Sequence, residues 1–280
     1  MNKDKDRKFK EKYGIETGYF KNGVPFARFG QGSEIIINIE ALTYNHAPPT
    51  GFELKQFIKS TEVFAKDYMV YNIGRKPNLP QGYYMDKMAD DYAQVIKEEL
   101  KKPVIVMGTS TGGQIAHFVC ANYPGLVEKL ILISTAYRIS KEGETIERKS
   151  AEYFEKKQYG KYLSTLMDLI FNHGIKRTLI KGFIRLLGKL LVRDVEYPND
   201  YLVEVEADRE MNFKDRLHEI KAPTLILSGV RDVCYGIEDV RDTANGIPNA
   251  KLITYNNFGH NLMMANRDEI QKEILAFLRN

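Results

Sequence analysis

One serine of this chain lies where an apolar run stops and a helical pattern begins, in VIVMGTSTGGQIAHF (residues 104–118). Residues 108–112 read GTSTG and have the G-x-S-x-G spacing, in which small flanking residues permit a sharp turn that exposes the serine side chain. Ser110 is therefore either a turn residue or a nucleophile. Because the match falls between a predicted strand and a predicted helix, as a nucleophile elbow requires, we predict a nucleophile.

A serine hydroxyl is a weak nucleophile and needs a base that takes its proton. His260 follows a predicted strand at 251–255, on a loop at the carboxyl edge of the sheet, and is the predicted base. His117 lies seven residues after Ser110, inside the helix and two turns from the elbow. The other three histidines are predicted to be solvated or structurally satisfied; they are His46, His173 and His218.

The base in turn needs a group that orients it, and a carboxylate at the end of another strand has this capacity. Asp232 comes shortly after the predicted strand at 223–229. Asp239 and Asp242 fall on the helical segment that follows, where a solvated helix face is expected. We therefore predict that Asp232 is the acid.

The elements that must position these residues alternate along the chain. A hairpin is predicted at 15–29 around Asn22-Gly23, and helices are predicted near 52–65, 86–100, 112–123 and 267–279. Buried strands are predicted at 34–39, 67–73, 103–107, 129–134, 223–229 and 251–255. Continuous apolar strands separated by helices are typical of a parallel sheet covered on both faces. The predicted fold class is α/β, an open, mostly parallel twisted sheet with helices on both faces.

One long segment interrupts this alternation. Residues 141–217 show helical periodicity without a convincing buried strand. We therefore predict a helical cap, or lid, over residues 141–217, inserted into a core domain formed by residues 1–140 and 218–280.

Four segments resemble the α/β-hydrolase fold family: GTSTGG, QIAHFVCANYPGLVEKLILIS, LSGVRD and FGH, in the family's chain order of serine, acid and histidine. The resemblance covers roughly residues 15–280 and implies a catalytic triad of Ser110, Asp232 and His260 that needs no metal or organic cofactor. Relatives that open epoxides or displace halide have an aspartate at the elbow. The serine argues against those two activities.

The resemblance also implies an oxyanion hole. One donor is expected to be the backbone amide of Thr111, which follows the nucleophile at the start of a helix. Many relatives have His-Gly after the strand that corresponds to 34–39, and this chain has Glu40-Ala41 instead. The second donor is expected to be the amide of Leu42, or that of Ala41 if the alignment slips by one residue.

Glu40 and Ala41 are also predicted to border the substrate pocket. A Glu40 carboxylate there would repel anionic substrates and attract cationic ones. Alternatively, Glu40 hydrogen-bonds the loop at 41–51 and never meets a ligand.

The function expected from these residues is that of a serine esterase, which belongs to class EC 3.1.1 of the hydrolases. The reaction would pass through an acyl-enzyme intermediate. The expected substrate is a small molecule, an apolar acyl or aromatic ester. Thioester, lactone, amide and carbon–carbon bond hydrolysis remain alternatives within the same fold. A ligand receptor or signalling protein that keeps the triad and turns over slowly is an alternative of another class, which the Glu40-Ala41 replacement favours.

A basic stripe marks the helical pattern at 176–193, where positively charged residues recur every four positions: Arg177, Lys181, Arg185, Lys189 and Arg193. Leucine, isoleucine and phenylalanine fill most of the remaining positions. This segment is either a cap helix with its apolar face over the active site, or an interfacial helix that makes a weak contact with an anionic membrane surface. Gly182 and Gly188 would permit lid movement.

Composition limits the remaining classes of partner. The net charge of +4 is the difference between 41 basic and 37 acidic residues, which is too small and too mixed to favour a nucleic-acid partner. The charged leader MNKDKDRKFKEKYG lacks the apolar core of a signal peptide, so a cytoplasmic location is expected.

Cys120 and Cys234 lack the spacing of a metal site or a disulfide framework. The oligomeric state is not determined.

Overall fold

The computed structural model describes residues 3–171, 174–192 and 195–279. Two residues named in the sequence predictions, His173 and Arg193, lie outside these ranges.

Eight strands of the described residues form one twisted sheet in the order β1-β2-β4-β3-β5-β6-β7-β8. Their bounds are β1 (Glu16–Tyr19), β2 (Pro25–Gly30), β3 (Glu34–Ile39), β4 (Tyr68–Ile73), β5 (Val104–Thr109), β6 (Val127–Ile133), β7 (Thr224–Gly229) and β8 (Ala250–Tyr255). From β4 to β8 every neighbouring pair is parallel, whereas β1 and β2 pair antiparallel with each other and β2 pairs antiparallel with β4. The α/β prediction of an open, mostly parallel sheet is confirmed.

The helices of the described residues connect these strands. They are α1 (Lys3–Tyr13), α2 (Gly51–Thr61), α3 (Met85–Val95), α4 (Thr111–Asn122), α5 (Lys141–Glu155), α6 (Tyr159–Ile170), α7 (Ile175–Leu191), α8 (Pro198–Glu210), α9 (Ile237–Gly246), α10 (Leu262–Ala265) and α11 (Arg267–Arg279). Helix α1 was not predicted, because its charged sequence has no strong apolar periodicity. Its partly buried Phe9 and Tyr13 nevertheless pack against the core.

The sheet separates two apolar cores, as the strand pattern requires. Along β3, Ile35, Ile37 and Ile39 belong to one buried cluster and Ile36 belongs to the other, because successive side chains point to opposite faces. Helices α3 and α4 contribute to the first cluster and α2 and α11 to the second. The sheet is therefore covered on both faces.

Helices α5 to α8 all lie between β6 and β7 in the chain. We call them the cap segment. Their own apolar cluster includes Phe154, Tyr162, Val192, Tyr201 and Val205. The division into a core domain and a movable cap stays a prediction. Within the described ranges, we find no helix with the length and apolar character needed to cross a membrane.

Candidate active site

The sharp turn predicted at Ser110 is present. Strand β5 ends at Thr109 and helix α4 begins at Thr111, so Ser110 is the single residue between them. Its backbone has φ 55° and ψ −129°, a conformation that favours glycine and is strained for serine. The Ser110 amide donates to the Ile133 carbonyl of β6 across 3.0 Å, which holds the turn against the sheet.

Two glycines permit this turn because the backbone on each side leaves no space for a side chain. A Cβ atom on Gly108 would lie 2.7 Å from the Gly113 nitrogen, and a Cβ atom on Gly112 would collide with the Ile39 and Glu40 carbonyl oxygens. The first turn of α4 therefore lies directly against the end of β3. This close approach brings Ser110 beside the loop that follows β3.

Asp232 and His260 meet at the same edge of the sheet. They follow β7 and β8, and the His260 Nδ1 atom lies 3.0 Å from Asp232 Oδ2. The other carboxylate oxygen of Asp232 accepts hydrogen bonds from the Cys234 and Tyr235 amides at 2.8 and 3.1 Å. Asp232 is thus fixed in orientation. With Nδ1–H donating to it, the Nε2 atom of His260 is the one left to exchange a proton.

The setting of His260 favours its charged form. Burial opposes the charge, but the Asp232 charge and hydrogen bond, together with the more distant Asp208 charge, outweigh it and raise the pKa of His260. The buried Tyr235 ring packs 5.8 Å from the His260 ring, centre to centre. Tyr235 therefore packs against the imidazole ring of the predicted base.

The loop after β3 carries the predicted second oxyanion donor. The Glu40 amide donates to the Ile73 carbonyl at 3.2 Å, and the Thr43 amide donates to the Glu204 carboxylate, also at 3.2 Å. Both flanking amides are therefore occupied. The amides of Ala41 and Leu42 between them remain the two candidates, as in the sequence prediction.

Helix α8 turns three carboxylates toward the core, spaced four residues apart. Asp200, Glu204 and Asp208 are all buried, with exposed fractions of 1%, 0% and 0%. Asp200 and Glu204 contact the two ring nitrogens of His46 at 3.2 and 3.4 Å. Burial opposes the charge of His46, but the Glu204 charge and hydrogen bonds to both carboxylates raise its pKa to about 9. The structurally satisfied form predicted for His46 is the one observed.

Glu204 also pairs with Arg75, a residue that is only 2% exposed. The Arg75 Nη1 group donates to the Ala41 carbonyl at 3.0 Å, while Glu204 accepts from the Thr43 amide. The loop that carries both oxyanion candidates is therefore held from two sides. Arg75 holds this loop from the core, and Glu204 of α8 holds it from the cap segment.

Asp208, the third carboxylate of α8, lies against the elbow itself. Its Oδ2 atom accepts a hydrogen bond from the Thr111 hydroxyl at 3.1 Å. Glu147 of α5 is a second buried acid beside it, and burial together with the Asp208 charge raises the pKa of Glu147 well above its usual range. Burial also raises the pKa of Asp208. The two acids therefore hold protons at a higher pH than solvent-exposed carboxyls do.

A cavity of about 450 Å³ opens between the loop after β3, helix α2 and the segment after His260. Glu40 and Ala41 line it, together with Thr109 next to the elbow. Burial raises the pKa of Glu40 to about 7, and its carboxyl group accepts a hydrogen bond from Asn72 of β4. Glu40 is thus tied to the sheet rather than to the loop at 41–51, and it is only partly ionised at neutral pH.

Among the described residues, the side chains of His117, His218 and the two cysteines lie apart from this chemistry. His117 is buried behind the elbow, where burial lowers its pKa to about 4 and the Gly113 carbonyl lies 2.7 Å from its Nδ1 atom. His218 is exposed, and Cys120 and Cys234 are buried free thiols. Among the described residues, no group of three or more histidine, cysteine or acidic side chains could hold a metal ion.

No pattern in the sequence marked the carboxylates of α8 as buried. Charges at a spacing of four in a helix are usually a solvated face, and their burial depends on partners supplied by distant parts of the chain. His46 and Arg75, which lie more than a hundred residues before Asp200, are those partners.

Comparison with protein families supports the fold. The model of the alpha/beta hydrolase fold matches residues 59–266 of this chain. A bifunctional esterase/perhydrolase of Acinetobacter calcoaceticus is 28% identical over 223 residues, 74% of this chain and 78% of that protein. A non-heme haloperoxidase of Rhodococcus erythropolis is 27% identical over 222 residues, 74% of this chain and 79% of that protein.

Comparison with solved structures agrees. An alpha/beta hydrolase enzyme from a deep-sea metagenome library superposes with a TM-score of 0.79 at 15% sequence identity, covering 95% of this chain and 98% of the other. The resemblance therefore extends over the cap segment as well as the sheet.

Proposed function

Because this chain belongs to the α/β-hydrolase family, we propose that it is a serine hydrolase that cleaves a carboxylic ester or a related acyl bond. The observation that carries the proposal is the 3.0 Å contact between His260 and Asp232 at the sheet edge where Ser110 occupies a strained turn. A strained serine at the same sheet edge as a histidine paired with a carboxylate supports this proposal, because a triad of this kind activates a serine hydroxyl for attack.

In the proposed mechanism, His260 Nε2 takes the proton of Ser110 as its oxygen attacks the acyl carbon. Asp232 stabilises the imidazolium that forms. The Thr111 amide and the amide of Ala41 or Leu42 donate to the oxyanion. His260 then gives its proton to the leaving alcohol, and water releases the acyl group from Ser110 by the same steps in reverse order.

The cavity beside the elbow supports a substrate with both apolar and polar parts. Tyr44, Phe57 and Met263 contribute apolar walls, and Glu40 and Asn72 contribute hydrogen-bonding groups. An acyl or aromatic ester fits these walls. The partly neutral Glu40 supports uncharged substrates more than strictly cationic ones.

A lactone, thioester, amide or diketone would use the same serine and the same oxyanion donors. The esterase named among the relatives supports the ester as the first substrate class to test. The alternative of a slow-turnover receptor predicts a reactive serine with little steady-state hydrolysis, so turnover measured beside labelling separates it from the enzyme.

The test is the intact mass of the purified protein after exposure to a fluorophosphonate, with wild type beside Ser110→Ala and His260→Ala. We expect a single adduct on wild type and none on either variant, and circular dichroism shows whether the variants fold. The matched control His218→Ala changes an exposed histidine and should label like wild type. A wild type that stays unlabelled while a control hydrolase reacts would refute the proposal.

A further inference from the structure

Helix α7 carries an apolar stripe on its outer surface. Leu179, Phe183, Leu186 and Leu190 recur at intervals of three or four residues and so lie on one face of the helix. Their exposed fractions are 70%, 67%, 86% and 59%. We call these four residues the α7 stripe. Monomeric proteins rarely expose a contiguous apolar surface of this kind without a partner.

The α7 stripe faces away from the other helices of the cap segment, because the opposite side of α7 packs on α6. A Cβ atom on Gly188 would collide with the Gly160 backbone of α6, so the two helices approach closely there. On the same side, Arg177 and Lys181 lie 3.4 and 2.6 Å from Asp168 of α6. The sequence alternative that turned the apolar face toward the active site is therefore wrong for these four residues.

The charges of α7 are all of one sign. The helix contains five basic residues and no acidic residue; Arg177 and Lys181 pair with Asp168 of α6, and Arg185 is exposed. An apolar face on an acid-free basic helix complements a surface that is anionic outside and apolar inside. We propose that the α7 stripe binds an anionic lipid surface, with the helix lying in the plane of the headgroups.

The same charges disfavour a second copy of this chain as the partner. Two α7 helices packed stripe to stripe would bring like charges together, with no acidic residue in either helix to offset them. An anionic lipid surface instead gains from every lysine and arginine near it.

The C-terminal end of α7 lies close to the cavity beside the elbow. The Tyr44 hydroxyl donates to the Leu191 carbonyl at the end of α7, at 3.5 Å, and Tyr44 also lines the cavity beside the elbow. A lipid surface bound to α7 would therefore lie near the mouth of that cavity. The binding itself does not depend on catalysis.

Co-sedimentation with vesicles tests the inference directly. Wild type should bind vesicles of phosphatidylcholine mixed with phosphatidylglycerol, and bind phosphatidylcholine alone more weakly. Phe183→Ser/Leu186→Ser should lower the partition coefficient at least about tenfold, because both side chains would lose apolar burial in the lipid. Arg185→Glu should weaken binding to the anionic vesicles only.

Phe52→Ser is the matched control, because Phe52 of α2 is as exposed as Phe183, at 67%, but lies outside α7. It should bind vesicles like wild type. Each variant should label with fluorophosphonate as wild type does, so a failure of vesicle binding is distinguishable from a failure of the proposed chemistry. The inference is overturned if wild type does not bind anionic vesicles, if Phe52→Ser weakens binding as much as the α7 variant, or if light scattering shows a dimer that the α7 variant dissociates.

Discussion

The Thr111 hydroxyl donates a hydrogen bond to Asp208 Oδ2 across 3.1 Å, which ties the residue after the elbow serine to helix α8 of the cap segment. Four residues earlier on α8, Glu204 accepts from the Thr43 amide and pairs with Arg75. One face of one helix thus contacts both sides of the proposed oxyanion hole. Cap and core are joined here by buried polar contacts, which makes α8 part of the machinery that positions the site.

Replacement of Glu204 should loosen the oxyanion loop. In Glu204→Gln the charge that pairs with Arg75 and His46 is lost, so we expect kcat for p-nitrophenyl acetate to fall about tenfold with little change in KM, since the loop acts in the transition state. Leaving Arg75 buried without its partner should also cost about 3–5 kcal/mol of unfolding free energy. Urea unfolding and steady-state kinetics measure the two effects.

The matched control for that substitution is Glu206→Gln, which removes a half-buried carboxylate two residues further along the same helix and therefore on its opposite side. It should leave kcat and stability close to wild type. An unchanged kcat in Glu204→Gln would show that the loop keeps its geometry without α8.

Replacement of Asp208 should change the pH profile. The Asp208 charge contributes to the raised pKa of His260, so Asp208→Asn should lower that pKa. Activity is lost at low pH when the base is protonated, and the acid limb of the kcat/KM profile should therefore move to lower pH. Glu206→Gln is the control, because it removes a carboxylate from the same helix without changing the Asp208 charge. If both variants move the limb equally, the charge is not the cause.

His46 should make stability depend on pH. Its folded pKa is raised to about 9, so its contribution to the unfolding free energy is fully present below the unfolded pKa of about 6.5 and is lost as the pH rises through 9. The difference between wild type and His46→Gln should shrink by roughly 3 kcal/mol between pH 6 and pH 9.5. Urea unfolding at a series of pH values measures it, and the exposed His218→Gln should show no such trend.

Strain at the elbow predicts that replacing Ser110 with glycine stabilises the protein. The φ of 55° at Ser110 suits glycine, so Ser110→Gly should be about 1 kcal/mol more stable than wild type after the larger entropy of unfolded glycine is allowed for. Ser110→Ala keeps the strain and should remain near wild type. Thermal unfolding compares the three proteins, and an alanine variant as stable as the glycine variant would contradict the strain.

Much of the fold was predictable from local pattern. The strand predicted at 34–39 matches β3 residue for residue, and the hairpin around Asn22-Gly23 and the strand-to-helix junction at Ser110 are present. These features depend on periodicity and turn chemistry within a few neighbouring residues. The carboxyl-edge positions of Asp232 and His260 followed from parallel strand order alone.

What the sequence by itself determined is the strand and helix pattern and the order of Ser110, Asp232 and His260 along it, because each rests on interactions between near neighbours in the chain. Only the tertiary structure decided that Glu204 lies buried beside Arg75 and that the α7 stripe faces outward. Charged or apolar residues that recur every three or four positions define one face of a helix. Which face is buried depends on the surfaces that distant segments present to it, and no local pattern contains that information.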